Sequence, residues 1–310
     1  MRDNLNVLSL FDGISCGQVA LERAGIKVEK YFASEIKPYA IKVTQDNYPN
    51  TIQLGDITKI SYKDGVIYSE NGEFEVGEID LLIGGSPCQD FSFANKNIKG
   101  LEGEKSGLFY EYLRLLREVK PKFFLLENVR MKKEHESQIT EYLGIKPIMI
   151  DSQLICGALR KRNYWTNIPN VTQPTDKGIK LNDVLDYGYS DRDKARCLTE
   201  SDSRPNKTPI KMFHRYYSTG FTTVVFKDKE HYDRCKKHYD DNFKGLSAKE
   251  IVCDSDVYDG IRYLNRYERE ALQTLPHNYC RLLTDNEVAC VCGDGWTVDV
   301  VAHIFESLVS

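Results

Sequence analysis

The chain has 310 residues, 42 Lys and Arg against 46 Asp and Glu, a net charge of −4, and 41% hydrophobic residues. That length suits one large domain with a smaller partner, and near-neutral charge excludes a uniformly basic polyanion binder, so any nucleic-acid surface is local. The sequence shows no apolar run near the ~18 residues of a membrane helix and no secretory leader; its nine scattered cysteines suit a reducing cytoplasm rather than a disulfide scaffold.

In chain order, residues 7–11 read as a first strand, and Asp12-Gly13-Ile14-Ser15-Cys16-Gly17 as a loop opening a helix over 18–24 that Gly25 stops. Residues 28–34 are a second strand with Glu35 at its carboxyl end, 39–47 a helix, and Asp56 follows a short third strand. An apolar run through Ile83 leads into Gly85-Ser86-Pro87-Cys88-Gln89-Asp90. Residues 106–119 carry apolar side chains at helical spacing, and 123–126 form a buried strand that delivers Glu127-Asn128-Val129. Alternating strands and helices predict an α/β fold with a parallel sheet. Ligands of such sheets sit at the carboxyl ends of the strands, where Gly13, Glu35, Asp56, Cys88 and Glu127 converge.

Each of these residues carries a chemical reading and a plainer one. Pro87 fixes the backbone before the Cys88 sulfur and two glycines permit close approach to a ligand, an arrangement that presents a nucleophile; most strand-end cysteines are instead small buried hydrophobes. A glycine turn followed about twenty residues later by Glu35 suits a nucleoside ribose. Asp12 lies where a dinucleotide phosphate would sit, which argues against NAD and for a cationic, phosphate-free nucleoside such as S-adenosylmethionine; the alternative is an ordinary helix cap by Asp12 and a surface Glu35. Residues 204–226 interleave Arg204, Lys207, Lys211, His214 and Arg215 with Phe213, Tyr216, Tyr217 and Phe221 and contain no acid. That stretch fits nucleic-acid binding or a solvated basic strand pair equally well. Cys280, Cys290, Cys292 and His277 match no common zinc spacing, so no metal site is expected.

Taken together, the segments resemble the DNA cytosine-C5 methyltransferase family over nearly the whole chain. The matching residues are Leu10-Phe11-Asp12-Gly13, Gly85-Ser86-Pro87-Cys88-Gln89-Asp90-Phe91-Ser92, Glu127-Asn128-Val129, Arg160-Lys161-Arg162, Arg262-Tyr263-Leu264 through Pro276, and Gly293-Asp294-Gly295-Trp296. The resemblance implies a Rossmann-like S-adenosylmethionine-dependent methyltransferase sheet with a smaller inserted target-recognition domain. The expected division is a catalytic and cofactor-binding domain over 1–170, target recognition over 171–259, and a C-terminal segment, 260–310, that rejoins the catalytic domain.

The same resemblance implies catalytic Cys88, Glu127, Arg160 and Arg162. Phe11, Asp12, Gly13, Ile14, Ser15 and Cys16 would wrap the methionine part of the cofactor, Glu35 the ribose and Asp56 the adenine amine. Ile36 and Ile57 would flank the adenine, Gly85 would lie beside the sulfonium, and Asp294, Gly295 and Trp296 would close the pocket. The implied partner is duplex DNA, with a flipped target base; no membrane is involved, a cognate restriction nuclease is not required, and a monomer is the simplest expectation. RNA cytosine methylation and a catalytically silent DNA-binding module are the alternatives. Two departures stand out: Ala158 where most members have glutamine, and Asp294 with Trp296 where most bacterial members have Gly-Asn, both similar to the animal de novo enzymes.

Overall fold

The computed structural model describes residues 4–86, 107–203, 208–253 and 255–309. These divide into two compact units, one of residues 1–151, 161–174 and 295–310, the other of residues 152–160 and 175–294.

The first unit is built on a seven-stranded sheet. Its elements run β1 (Leu5–Leu10), α1 (Cys16–Arg23), β2 (Val28–Ser34), α2 (Pro38–Asn47), β3 (Ile52–Gln53), a meander of β4 (Ser61–Lys63), β5 (Val66–Ser69) and β6 (Gly72–Glu75), then β7 (Leu81–Gly85), α3 (Gly107–Val119), β8 (Phe123–Val129), α4 (Lys133–Leu143), β9 (Ile148–Asp151) and β10 (Lys161–Thr166). The strand order is β3-β2-β1-β7-β8-β10-β9. All six residues of β1 are buried, as a central strand covered on both faces requires. The sheet is not purely parallel, however, because β10 runs antiparallel to both β8 and β9.

Register brings the carboxyl ends of the parallel strands level: Leu10 pairs with Ser34 on one side and Gly84 on the other, and Gly85 pairs with Glu127. The amphipathic α3 buries Phe109, Tyr112 and Leu115 in the core shared with Leu8, Leu82 and Leu126. Each such side chain contributes roughly 1.5–3 kcal/mol on burial. A last helix, α9 (Val298–Glu306), packs its Val298, Val301, Ile304 and Phe305 face into this unit against α1, with Arg23 paired to Asp299.

The second unit contains α5 (Pro209–His214), β11 (Val224–Val225), α6 (Lys229–Asn242), β12 (Arg262–Tyr263), α7 (Arg266–Leu272) and α8 (Asp285–Asp294). Its core is aromatic: Phe213 lies within 5.3–6.2 Å, centroid to centroid, of Tyr216, Tyr217, Phe226, Tyr239 and Tyr258.

Two sequence expectations change here. The C-terminal return begins at Gly295 rather than at 260, because α7 and α8 belong to the second unit, which also takes in residues 152–160. The stretch Asp285–Glu306 is apolar and long enough to have counted as a membrane span, contrary to the sequence reading; the chain breaks it into α8 and α9 and buries most of its side chains.

Candidate active site

The loop after β1 takes an unusual path. Phe11, Gly13 and Ser15 all have left-handed backbone, with φ of 58°, 59° and 55°. For the two non-glycine residues this costs about 1–2 kcal/mol each. Hydrogen bonds hold the shape: the Asp12 amide donates to the Ser34 carbonyl (3.0 Å), the Gly13 amide to Glu35 Oε2 (2.8 Å), and the Ser15 hydroxyl to Asp12 Oδ2. Tyr31 donates its hydroxyl proton to Asp12 Oδ1 at 2.8 Å. Burial pushes the Asp12 carboxyl up to about 6, against the lowering effect of hydrogen bonds from Ser15, Ser9 and Tyr31.

Ser15 stands at the N-cap of α1, and Ile14, Ser15 and Cys16 are buried. Nothing lies within 4 Å of where a Cβ on Gly13 would be.

Glu35 closes the next strand end. Its Oε1 accepts from the amides of Ile36 (2.7 Å) and Lys37 (2.9 Å), while Oε2 takes the Gly13 amide. A carboxylate offers about four lone-pair sites, so acceptor capacity remains for hydroxyl donors. Ile36 beside it is 68% exposed, an apolar side chain displayed at the strand end. Asp56 caps the short turn Ile57–Lys59 through the Thr58 amide (2.9 Å) and donates its own amide to Glu70 Oε1 (2.9 Å) on the meander. Ile57, expected to flank a ligand, is instead a core residue at 4% exposure.

At the centre of the sheet Glu127 receives two donors. Arg162 Nε lies 2.9 Å from Oε1, and Trp296 Nε1 donates to Oε2 at 3.0 Å. Glu127 is buried and its partners are only partly exposed. A Cβ on Gly85 would stand 2.9 Å from Trp296 Nε1 and 3.0 Å from Glu127 Oε2, so glycine is what this close approach permits.

Next to Glu127, the buried Asn128 donates to the Ser86 hydroxyl (3.0 Å) and carbonyl (3.3 Å) and accepts from the Val129 amide (2.8 Å). It therefore ties the end of β8 to Ser86, just after β7. Cys88 itself, with Pro87 and Gln89-Asp90-Phe91-Ser92, lies outside the described residues, as do Arg204 and Lys207.

Asp12, Gly13, Glu35, Gly85, Glu127, Arg162, Gly295 and Trp296 belong to the first unit, and Arg160 and Asp294 to the second. Arg160 is buried in the second unit, where it donates to the carbonyls of Leu198 (3.1 Å) and Gly293 (3.1 Å). Asp294 is exposed at the end of α8, also in the second unit.

The basic aromatic stretch is corrected too: Phe213 and Tyr216 are core residues, and Phe221 alone of its phenylalanines and tyrosines is widely exposed, at 79%. Arg192 pins the loop that carries it, bonding the Thr222 carbonyl (2.6 Å) and the Tyr216 carbonyl (2.8 Å) and stacking over the Tyr216 ring at 3.9 Å. Among the described residues no group of three or more His, Cys, Asp or Glu is placed to hold a metal ion.

Sequence reasoning gave no task to Tyr31 or Asn128. Tyr31 is a strand residue with no motif around it; Asn128 stood in a quoted motif, and its position at a buried strand end was the available signal.

Residues 5–146 match the family model for C-5 cytosine-specific DNA methylase. Type II methyltransferase M.NgoBV of Neisseria gonorrhoeae is 38% identical over 210 residues, 59% of this chain and 47% of that protein. Orphan methyltransferase M.SPRI of Bacillus phage SPR is 39% identical over 134 residues, 43% of this chain and 28% of that protein. The match thus spans less than half the length of these relatives. Among solved structures, the Entamoeba histolytica methyltransferase EhMeth is similar with a TM-score of 0.67, 17% identity, and coverage of 99% of this chain and 98% of that one. The S. pombe Dnmt2 methyltransferase gives 0.63 at 16% identity over 99% and 98%. These two likenesses establish the Rossmann-like methyltransferase fold. Over residues 5–146, a little under half of its length, the chain is similar to the C-5 cytosine-specific DNA methylase family.

Proposed function

We propose that the chain transfers a methyl group from S-adenosylmethionine to C5 of cytosine in duplex DNA. The observation that carries the reading is the Glu127 carboxylate, held by Arg162 and Trp296 at the carboxyl edge of the sheet, with its neighbour Asn128 bonded to Ser86, two residues before Cys88 in sequence.

The residues at the neighbouring strand ends fit the cofactor. Glu35 retains acceptor capacity for ribose hydroxyls, Ile36 offers an apolar face for a purine, and the open space beside Gly13 admits the chain of an amino acid. Two carboxylates, Asp12 and Glu35, suit a cationic ligand and would repel a diphosphate. Asp56 would receive the adenine amine, and the backbone of residues 11–16 the methionine part. When bound, S-adenosylmethionine supplies an electrophilic methyl group on sulfur.

Cytosine C5 is a weak nucleophile, and Cys88 answers that weakness by adding as a thiolate to C6, which raises electron density at C5. Glu127 supports N3 and the exocyclic amine while that charge develops, and Arg162 braces the ring carbonyl. After C5 is methylated, loss of its proton to a base restores the C5–C6 double bond and expels the Cys88 thiolate. The base must leave the stack for C6 to be reached, at a cost of a few kcal/mol. The second unit would read the DNA, with Phe221, displayed on its pinned loop beside Arg196, as a base-stacking contact. The eight cysteines among the described residues are free thiols, which supports a reducing cytoplasmic setting and a Cys88 that stays reduced.

Incubation with labelled S-adenosylmethionine, comparing mixed-sequence duplex DNA with transfer RNA, tests the reading. Label in 5-methylcytosine of DNA, lost in Cys88→Ser, is expected; no incorporation, or incorporation into RNA alone, rejects it.

A further inference from the structure

Resting on the role proposed for Glu127, we infer that Trp296 is the positioning residue that sets the plane of its carboxylate. The terminal torsion of a glutamate is broad and two-fold, so a single donor leaves the carboxylate plane free to swing. Arg162 Nε meets Oε1 at 2.9 Å, and the indole N–H of Trp296 meets the other oxygen at 3.0 Å. One donor on each oxygen fixes the plane and leaves further lone pairs on both oxygens for the amine and the N3 proton of a bound base.

The indole is suited to the task because its N–H direction follows the ring. The ring rests over Gly85 and reaches toward α1, where a Cβ on Gly17 would stand 3.8 Å from Cζ3. Immediately after it, Thr297 stands at the N-cap position of α9 and Thr297 and Val298 are buried, so the backbone of Trp296 is anchored at a helix start. Trp296 and Glu127 are 169 residues apart in sequence, and the contact exists because the chain re-enters the first unit at Gly295.

A tryptophan that merely lined the cofactor pocket would affect cofactor binding, whereas one that orients Glu127 affects turnover. Trp296→Phe keeps an aromatic ring and removes the N–H; kcat is expected to fall about ten- to a hundredfold, as for loss of a hydrogen bond to a charged acceptor, with KM for S-adenosylmethionine within about twofold of the original.

An independent measurement needs no turnover. The chain has two tryptophans, and Trp165 donates to Thr140 Oγ1 at 3.1 Å, away from Glu127. In protein labelled with ¹⁵N-tryptophan, the Trp296 indole N–H resonance, assigned by its loss in Trp296→Phe or by elimination in Trp165→Phe, is expected to move in Glu127→Gln while that of Trp165 stays. A Trp296 resonance unmoved by Glu127→Gln, or a Trp296→Phe protein with normal kcat and only a raised KM for the cofactor, overturns the inference. Absence of methylation by the unaltered protein counts instead against the proposed reaction, and the resonance still decides whether the contact exists.

Discussion

Asp12→Asn isolates the cost of keeping a carboxyl group buried in the loop after β1. The Asp12 carboxyl is held at about 6 against an ordinary value of 3.8, chiefly because burial disfavours its charge. A raised carboxyl means that the folded protein binds the proton more tightly than the unfolded chain does. The associated stability is therefore fully present below the unfolded value, near pH 4, and is lost as pH rises through about 6. A shift of about two units corresponds to about 3 kcal/mol. An asparagine side chain would keep the shape and an acceptor for Tyr31 but never ionise, so the difference in unfolding free energy between Asp12→Asn and the unaltered protein should grow in favour of the variant by about 3 kcal/mol from pH 4 to pH 7. Urea denaturation of both proteins at one-unit pH steps measures this, because every other titrating group cancels in the difference. A difference constant with pH would refute the burial argument; growth toward low pH would show that the Ser15 and Tyr31 hydrogen bonds outweigh desolvation.

Three further outcomes are expected. Arg160→Met leaves buried carbonyls of Leu198 and Gly293 without their donor and should cost about 2–4 kcal/mol in urea denaturation; full stability with lost turnover would return Arg160 to the catalytic set. Asn128→Ala releases Ser86 from the end of β8, and kcat should fall about tenfold with KM for cofactor unchanged, measured by methyl incorporation. Phe221→Ala should raise KM for duplex DNA about tenfold, the scale of one lost base stack, with thermal midpoint unchanged because the ring is 79% exposed; an unchanged KM would remove Phe221 from the DNA contact.

The strand ends were legible because their signals are local. A glycine beside an acid after an apolar run marks the end of a parallel strand wherever it occurs, and Asp12, Gly13, Glu35, Gly85 and Glu127 fall there. Ile57 failed the same logic: adjacency to Asp56 suggested a ligand contact, yet the turn capped by Asp56 directs the next side chain into the core. The polar meander Ser61–Glu75 escaped because three short, half-exposed strands carry little apolar alternation. In the 204–226 stretch, composition could not say which aromatic rings face inward, a choice made by packing against α6 and Tyr258.

Arg160 and Arg162 show most plainly what spacing leaves undecided. Two residues apart on a strand, they would share one face and one task. The strand begins only at Lys161, so Arg162 follows the pleat of β10 to Glu127, while Arg160 precedes it and closes the segment 152–160 that belongs to the second unit. The chain changes units between two adjacent residues, and the same happens between Asp294 and Gly295, which leaves Trp296 to join Glu127. Both crossings fall inside motifs that sequence treats as single blocks. A motif of this kind is therefore two half-signals, one for a fold contact and one for chemistry. Substituting each half separately, as with Arg160→Met and Trp296→Phe, distinguishes them: the first should appear in the denaturation curve and the second in kcat.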